Sequence, residues 1–399
     1  MSDAQNIEGC KSTRFALLWM NLAAEPLISL YTLLPFILRK DLGASLFQVS
    51  LFITLRPVLS VFSFYWSAYS KRRLISNLVS ASFLAYLPFL FFPWVDNFWF
   101  LLLASGMYQL FSKAAIPPLI EVLKRNIPKK PREHVFSLYY ILSFVESGLL
   151  GLFFGGMLDS HVLDWKMLFF FSAMLGLSTL VLFSRIRVPE IPQRLEVPSI
   201  AHPWKESFRL IRERADFAHF QGAFMFGGSA LMLMAPALST FYADTLSLSY
   251  TNITTARFIF MAIGVAGSSF LWKKGLSTIP LLKLTLWVLI GFGLFPLALL
   301  LAQIDLGFLY LAFFIYGVAQ AGSHLIWNLS GTLFAHESDS SPYTRVNILM
   351  LGLRGAVMPL AGGLLCDLMG PVPVLIIGMG MCLFGAHYLF RRARLISIY

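Results

Sequence analysis

Charge is scarce in this chain. Of 399 residues only 13% are Asp, Glu, Lys or Arg, against 57% hydrophobic, and mean hydropathy is +0.72. A soluble domain carries about 25% charged residues, so the chain lacks the polar cover a water-facing globule needs. Cysteine is also rare: Cys10, Cys366 and Cys382 build no disulfide framework and stand at no metal-ligand spacing. A phosphate-cradling Gly-rich loop is missing, which argues against direct ATP hydrolysis. No metal cluster, cofactor motif or nucleophile–base pair appears, so the chain is expected to be no enzyme and to need no cofactor. The net charge of +11 is spread over short loops without a recognition motif, which excludes nucleic acid as the expected partner.

What is abundant is apolar sequence in blocks of about twenty residues, the length a helix needs to cross some 30 Å of hydrocarbon. The first block, Phe15 to Leu38, is too long for a signal-peptide core and holds Glu25 at its centre; it reads as a retained span. Twelve spans are expected, near 15–38, 46–66, 74–95, 98–120, 135–158, 167–184, 217–242, 252–272, 279–303, 307–330, 345–367 and 371–390. The longest connection runs from Arg185 to Asp216. It begins Pro-rich and ends in Trp204–Arg214, which reads as a basic amphipathic helix at the membrane surface. It divides the chain into 1–184, a cytoplasmic linker 185–216, and 217–399. Placing both termini in the cytoplasm puts most loop Lys and Arg inside and leaves Arg39, Lys40 and Lys166 outside, as the positive-inside rule requires.

The two halves resemble each other. Gly155-Gly156-Met157-Leu158-Asp159 ends the fifth span, and Gly362-Gly363-Leu364-Leu365-Cys366-Asp367 ends the eleventh. Asp41…Gln48 enters the second span as Asp244…Asn252 enters the eighth. Other segments carry a family likeness. Trp66-Ser67-Ala68-Tyr69-Ser70-Lys71-Arg72-Arg73 keeps a basic cluster after the second span, without the usual glycine and aspartate. Gly151-Leu152-Phe153-Phe154-Gly155-Gly156 follows a Gly-Pro-x-x-Gly-Gly pattern with leucine for proline, and Asp164-Trp165-Lys166 opens the sixth span. With these motifs and the six-plus-six layout, the chain resembles the major facilitator superfamily of secondary transporters. The resemblance implies an all-α membrane protein of twelve helices in two pseudo-symmetric six-helix bundles, with a central cavity lined by the first and fourth helices of each bundle.

Ionisable residues inside a membrane span cost about 2.5–3.5 kcal/mol on insertion scales and normally face a cavity or a partner. Glu25, Arg56, Lys113, Glu146, Arg257, His324 and Arg354 lie deep in spans; the third, sixth, ninth and twelfth spans have none at depth. At 100° per residue, Asn21 joins Glu25 on one stripe, Gln109 joins Lys113, Gln221 leads a stripe in the seventh span, and Gln320, His324, Trp327 and Asn328 share one in the tenth. Polar stripes can also be helix-to-helix glue. Asn21, Gln109, Lys113, Gln221, Arg257, Gln320, His324, Trp327, Asn328 and Arg354 are the candidate substrate-binding residues. Glu25, Arg56 and Glu146 are candidates for proton coupling or for intramembrane ion pairs, the glutamates with Arg56 or Lys113. With the glutamates so paired, Arg257 and Arg354 remain for an anion.

The expected function is secondary active transport of a small polar or anionic solute by alternating access, with protons or a counter-solute as coupling partner, by a monomer in the cell membrane. Efflux of hydrophobic compounds is the alternative within transport, supported by 38 Phe and 15 Met. A lipid-modifying membrane enzyme is the alternative from another class, and it lacks a reactive constellation.

Overall fold

The structure, a computed structural model, describes residues 3–69, 74–186, 188, 202–335 and 341–396. The basic loop 70–73 and the prolines at 189, 192 and 198 lie outside the described residues. The helices are α1 (Asp3–Lys40), α2 (Leu46–Tyr69), α3 (Leu74–Tyr86), α4 (Phe98–Asn126), α5 (Lys129–Asp159), α6 (Trp165–Arg185), α7 (His202–Glu213), α8 (Ala215–Thr240), α9 (Tyr250–Thr254), α10 (Met261–Thr278), α11 (Leu281–Leu301), α12 (Gly307–Ala335), α13 (Ser341–Met369) and α14 (Pro371–Ile396). No strand occurs among the described residues.

Each predicted span falls on one of these helical segments. Nine of them, among the described residues, are long and apolar enough to cross a membrane. The second, fourth and fifth spans correspond to α2, α4 and α5, whose side chains are described only in part. Three spans depart from a plain α-helix. The third tightens after Tyr86 into a 3-10 turn, Leu87–Trp94, carrying Pro88 and Pro93; a proline has no N–H to give an α-helical ladder. The seventh and eighth contain wide π turns, Phe241–Thr245 and Thr255–Phe260. The expected surface helix is α7, and its apolar Leu210 and Ile211 pack on a buried cluster containing Phe217, Phe220 and Tyr343.

The local signals that start helices are ordinary ones. Asn97 accepts a hydrogen bond from the backbone N–H of Trp99, and Asp164 accepts one from Lys166. Ser249 caps α9 through the Asn252 N–H at 3.0 Å. Each occupies an orphan donor that a helix start leaves over.

By its internal contacts the chain forms two compact units: 1–34 with 59–198, and 35–58 with 199–399. The division therefore falls inside α1 and α2 and not only at the linker. In the first unit α3 packs on α4 and α6, and Phe89 stacks on Phe169 at 5.6 Å with Phe92 and Trp165 beside them. In the second, α8 packs on α13 and α14, α10 on α12, and α11 on α12 and α14.

Residues 35–58 belong to the second unit for reasons of close packing and charge. Leu46 shares a buried cluster with Leu233, Ala237, Cys366 and Val374. A Cβ at Gly363 would collide with Ser50, and one at Gly355 would collide with Pro57, so α2 and α13 approach where these glycines leave room. Arg39 forms an ion pair with Asp244 and donates to the Ala44 carbonyl at 3.0 Å. Lys40 donates to the Leu248 carbonyl and lies 4.4 Å from the Tyr250 ring centroid.

Candidate functional site

The first unit gathers polar groups where α1 meets α5. The Ser143 hydroxyl, with one proton to share, lies 2.9 Å from Glu25 Oε2 and 2.8 Å from Asn21 Oδ1; the Ser147 side chain is a further neighbour of Glu25. Glu25 is buried at 5% exposure. Ser143 and Ser147 stand four residues apart, on one helical face. Glu146 lies between them, near enough for its charge and that of Glu25 to interact. Its Oε2 is buried without a hydrogen-bond partner among the described residues. The sequence reading pairs the glutamates with Arg56 or Lys113; among the described residues neither carboxylate makes an ion pair. Ser143 is the hydrogen-bond partner of Glu25 instead. Gln109 is buried and Lys113 half-buried on α4.

The second unit holds two polar groupings. In one, Gln221 on α8 donates to Asn347 on α13. Asn347 in turn donates to Ser330 Oγ at 2.8 Å and to the Trp327 carbonyl at 3.4 Å on α12. Gln221 and Asn347 are 3% and 2% exposed, so this seam ties three helices together away from solvent. Two turns along α13, Arg354 extends the seam. It is 8% exposed, donates from Nη1 to the Phe224 carbonyl at 2.8 Å, and lies 5.3 Å from the Trp327 ring centroid. Gly228 makes the space: a Cβ there would overlap the guanidinium. Where the sequence reading leaves Arg354 for an anion, the structure has it engaged with backbone and indole.

The other grouping surrounds Arg257. Its turn of helix is the π segment Thr255–Phe260; such wide turns inside α-helices are frequent at functional sites. Beyond this turn α10 and α12 touch backbone to backbone, because a Cβ at Gly264 or Gly317 would strike the main chain of the facing helix. That contact brings Tyr316, next to Gly317, toward Arg257. Tyr242 lies in the π turn that follows α8, with its ring 6.1 Å from Phe313. Tyr316, Tyr242 and Arg56 are the titratable neighbours of Arg257. Arg56 is likewise a titratable neighbour of Tyr316 and His324. Gln320 and His324 are joined at 2.6 Å. Arg56, His324 and Asn328 have exposed side chains, and those of Arg257 and Trp327 are half-buried. No carboxylate pairs with Arg56 or Arg257 among the described residues.

Several contributors are absent from the sequence-based candidates. Ser143, Ser147, Ser330 and Asn347 are unremarkable polar residues in spans; the spacing of the two serines around Glu146 is the only signal available for them. Tyr242 stands at the end of its span with no polar stripe to mark it. Tyr316 has a sharper signal, since it leads the Gln320–His324 stripe by a single turn. Among the described residues no three His, Cys, Asp or Glu side chains could hold a metal ion.

Known proteins frame this geometry. The family model of the Major Facilitator Superfamily matches residues 17–351. A comparison with curated proteins finds no match. Among solved structures, a POT family transporter in complex with 5-aminolevulinic acid has a TM-score of 0.74 at 12% identity, over 98% of this chain and 97% of that one. The nucleoside transporter NupG has a TM-score of 0.68 at 14% identity, over 95% and 99%. A bacterial homolog of the human lysosomal transporter Spinster, inward-facing and unoccupied, has a TM-score of 0.65 at 14% identity, over 99% and 98%. At such identity these likenesses speak for the fold, while the family match extends over most of the sequence. This chain is a multi-pass membrane protein and belongs to the Major Facilitator Superfamily of transporters.

Proposed function

We propose that the protein is a secondary active transporter of a small anionic solute, working by alternating access between two six-helix bundles, 1–184 and 217–399. The observation that supports this reading is Arg257. It lies within a candidate membrane span, has Arg56, Tyr242 and Tyr316 as titratable neighbours, and makes no ion pair with a carboxylate among the described residues. An unpaired arginine at that depth is costly, and a carboxylate or phosphate would satisfy it bidentately. Gln320 and His324 supply neutral hydrogen-bonding groups on the facing helix, with Asn328 one turn further along. Arg354, committed to the Phe224 carbonyl and Trp327, holds α8, α12 and α13 in place. Glu25, held by Ser143, is the group assigned to coupling with protons. The solved relatives include POT structures in complex with sulfate and with 5-aminolevulinic acid, ligands of those proteins that fit a small-solute reading. The protein is taken to act as a monomer in the cell membrane, and the distribution of its basic residues supports cytoplasmic termini.

The test is counterflow in proteoliposomes. Vesicles preloaded with unlabelled carboxylates or phosphate should accumulate the labelled compound, and Arg257→Gln protein that inserts normally should not. Normal counterflow of the solute by Arg257→Gln would remove the anion reading.

A further inference from the structure

One face of α7 is committed to the fold and the other is open. At 100° per residue, Ser207, Leu210 and Ile211 share a face. Ser207 is buried, and Leu210 and Ile211 pack on the cluster of Phe217, Phe220 and Tyr343. The opposite face carries Lys205, Phe208, Arg209, Arg212 and Glu213, all exposed. Phe208 is 56% exposed, and the half-buried Trp204 stands one turn before it on the same edge.

The acidic residues of this segment do not neutralise the stripe. Glu206 forms an ion pair with Arg345 of α13. Asp216 is paired with Arg214, which also donates to the Tyr343 hydroxyl at 2.9 Å. Glu213 lies 3.8 Å from Arg209, with the two side chains 64% and 69% exposed, and so open a pair contributes little. Lys205 and Arg212 make no ion pair among the described residues. Three cations thus stand against one carboxylate on the outward face.

The connection to α8 sets the level of this face. Arg214 alone separates α7 from α8, and α8 opens the candidate membrane span Ala215–Thr245. With φ −115° and ψ 89°, Arg214 ends the helical course, and α7 packs on α13 and α8. The Arg345–Glu206 pair ties it to the first turns of α13, where the candidate span Pro342–Met369 begins. α7 is therefore held where two spans enter the bilayer, at the level of the lipid headgroups. An aromatic edge beside Lys and Arg suits that level: the ring seats at the acyl-chain boundary and the cations reach the phosphates. Basic residues on an amphipathic helix beside a span attract anionic lipid. An acidic protein would answer the cations alone; the aromatic edge and the single-residue link to the span favour lipid.

We propose that the outward face of α7 binds anionic phospholipid, with Lys205, Arg209 and Arg212 on the headgroup phosphates and Phe208 seated at the acyl-chain boundary.

The experiment locates lipid on the full-length protein in nanodiscs. Photoactivatable phosphatidylglycerol is crosslinked as a trace component in phosphatidylcholine discs, and adducts are mapped by peptide mass spectrometry. Wild-type protein should carry adducts on the Trp204–Glu213 segment. Excess unlabelled phosphatidylglycerol should suppress them, added phosphatidylcholine should not, and the yield should fall with rising salt. Each Lys or Arg near an anionic surface is worth about fivefold in affinity. Lys205→Gln, Arg209→Gln and Arg212→Gln combined should therefore lower the yield on this segment at least about tenfold. The three positions are exposed, so the variant should insert normally. Arg209→Lys with Arg212→Lys keeps the charge and should keep the yield, which separates headgroup attraction from a structural role of the arginines. Phe208→Ser should lower the yield while keeping the preference for phosphatidylglycerol. Equal adducts with photoactivatable phosphatidylcholine, or an unchanged yield in the triple glutamine variant, would overturn the assignment. Suppression by inorganic pyrophosphate at the concentration where phosphatidylglycerol suppresses would also overturn it, in favour of a soluble anion.

Discussion

Gly228→Ala offers a direct test of how Arg354 is held. A Cβ at this position would overlap Nη1, Cζ and Nε of the guanidinium, so the side chain must leave its place. Leaving breaks the 2.8 Å bond to the Phe224 carbonyl and the contact with the Trp327 ring at 5.3 Å. A hydrogen bond involving a charged group contributes about 1.5–3 kcal/mol, and a desolvated cation–π contact about 2 kcal/mol. Gly228→Ala should therefore cost about 2–4 kcal/mol after partial relaxation, with a small gain from replacing glycine in a helix of about 1 kcal/mol working against it. Arg354→Ala removes the same contacts but also removes a buried charge without a carboxylate partner, leaving a void the size of the lost side chain. In the double variant the new methyl group meets no guanidinium. The two substitutions should thus be strongly non-additive, with a coupling of about 1–3 kcal/mol in favour of the double variant. Thermal unfolding of the three purified variants, followed by tryptophan fluorescence, measures it. Additivity within about 0.5 kcal/mol would refute the packing described for Arg354.

Four other outcomes follow from the same structure. Ser143→Ala strips Glu25 of its hydroxyl partner and should destabilise the protein by about 1.5–3 kcal/mol in a denaturation assay, whereas adding Glu25→Gln should restore part of the loss. Gly317→Leu should prevent the α10–α12 contact and yield protein that fails to elute as a monodisperse peak in size-exclusion chromatography. Arg39→Gln breaks an ion pair whose Asp244 side chain is 43% exposed, and the change in unfolding midpoint should correspond to no more than about 1 kcal/mol. Single cysteines at Asn97 and Asp305 should react with an impermeant reagent from outside the cell and one at Lys274 only from inside; reaction of all three from one side would refute the assigned topology.

The class of the molecule is legible in the order of its residues. Blocks of about twenty apolar residues demand helices, because a backbone in hydrocarbon must satisfy its own hydrogen bonds. Their number and their basic loops lead to twelve spans, and the motifs around Gly151–Gly156 and Asp164–Lys166 lead to the family. Glu25, Arg257, His324 and Arg354 stand out as residues needing an explanation, since charge at membrane depth is rare for any other reason.

What each deep charge touches is settled by the packing of the helices. The spacing of Gln221 and Arg354 along their helices gives the face of each but not the neighbour it meets, so the Asn347 seam and the Phe224 carbonyl could not be read in advance. The Gly228 clearance that seats Arg354 is a contact between helices more than a hundred residues apart in sequence. The π turn at Thr255–Phe260 shifts Arg257 off the ideal 100° repeat, and no α-helical wheel represents that shift. The assignment of residues 35–58 to the second unit rests on Gly355 and Gly363 fitting Pro57 and Ser50, a complementarity of surfaces that exists only once the helices are packed.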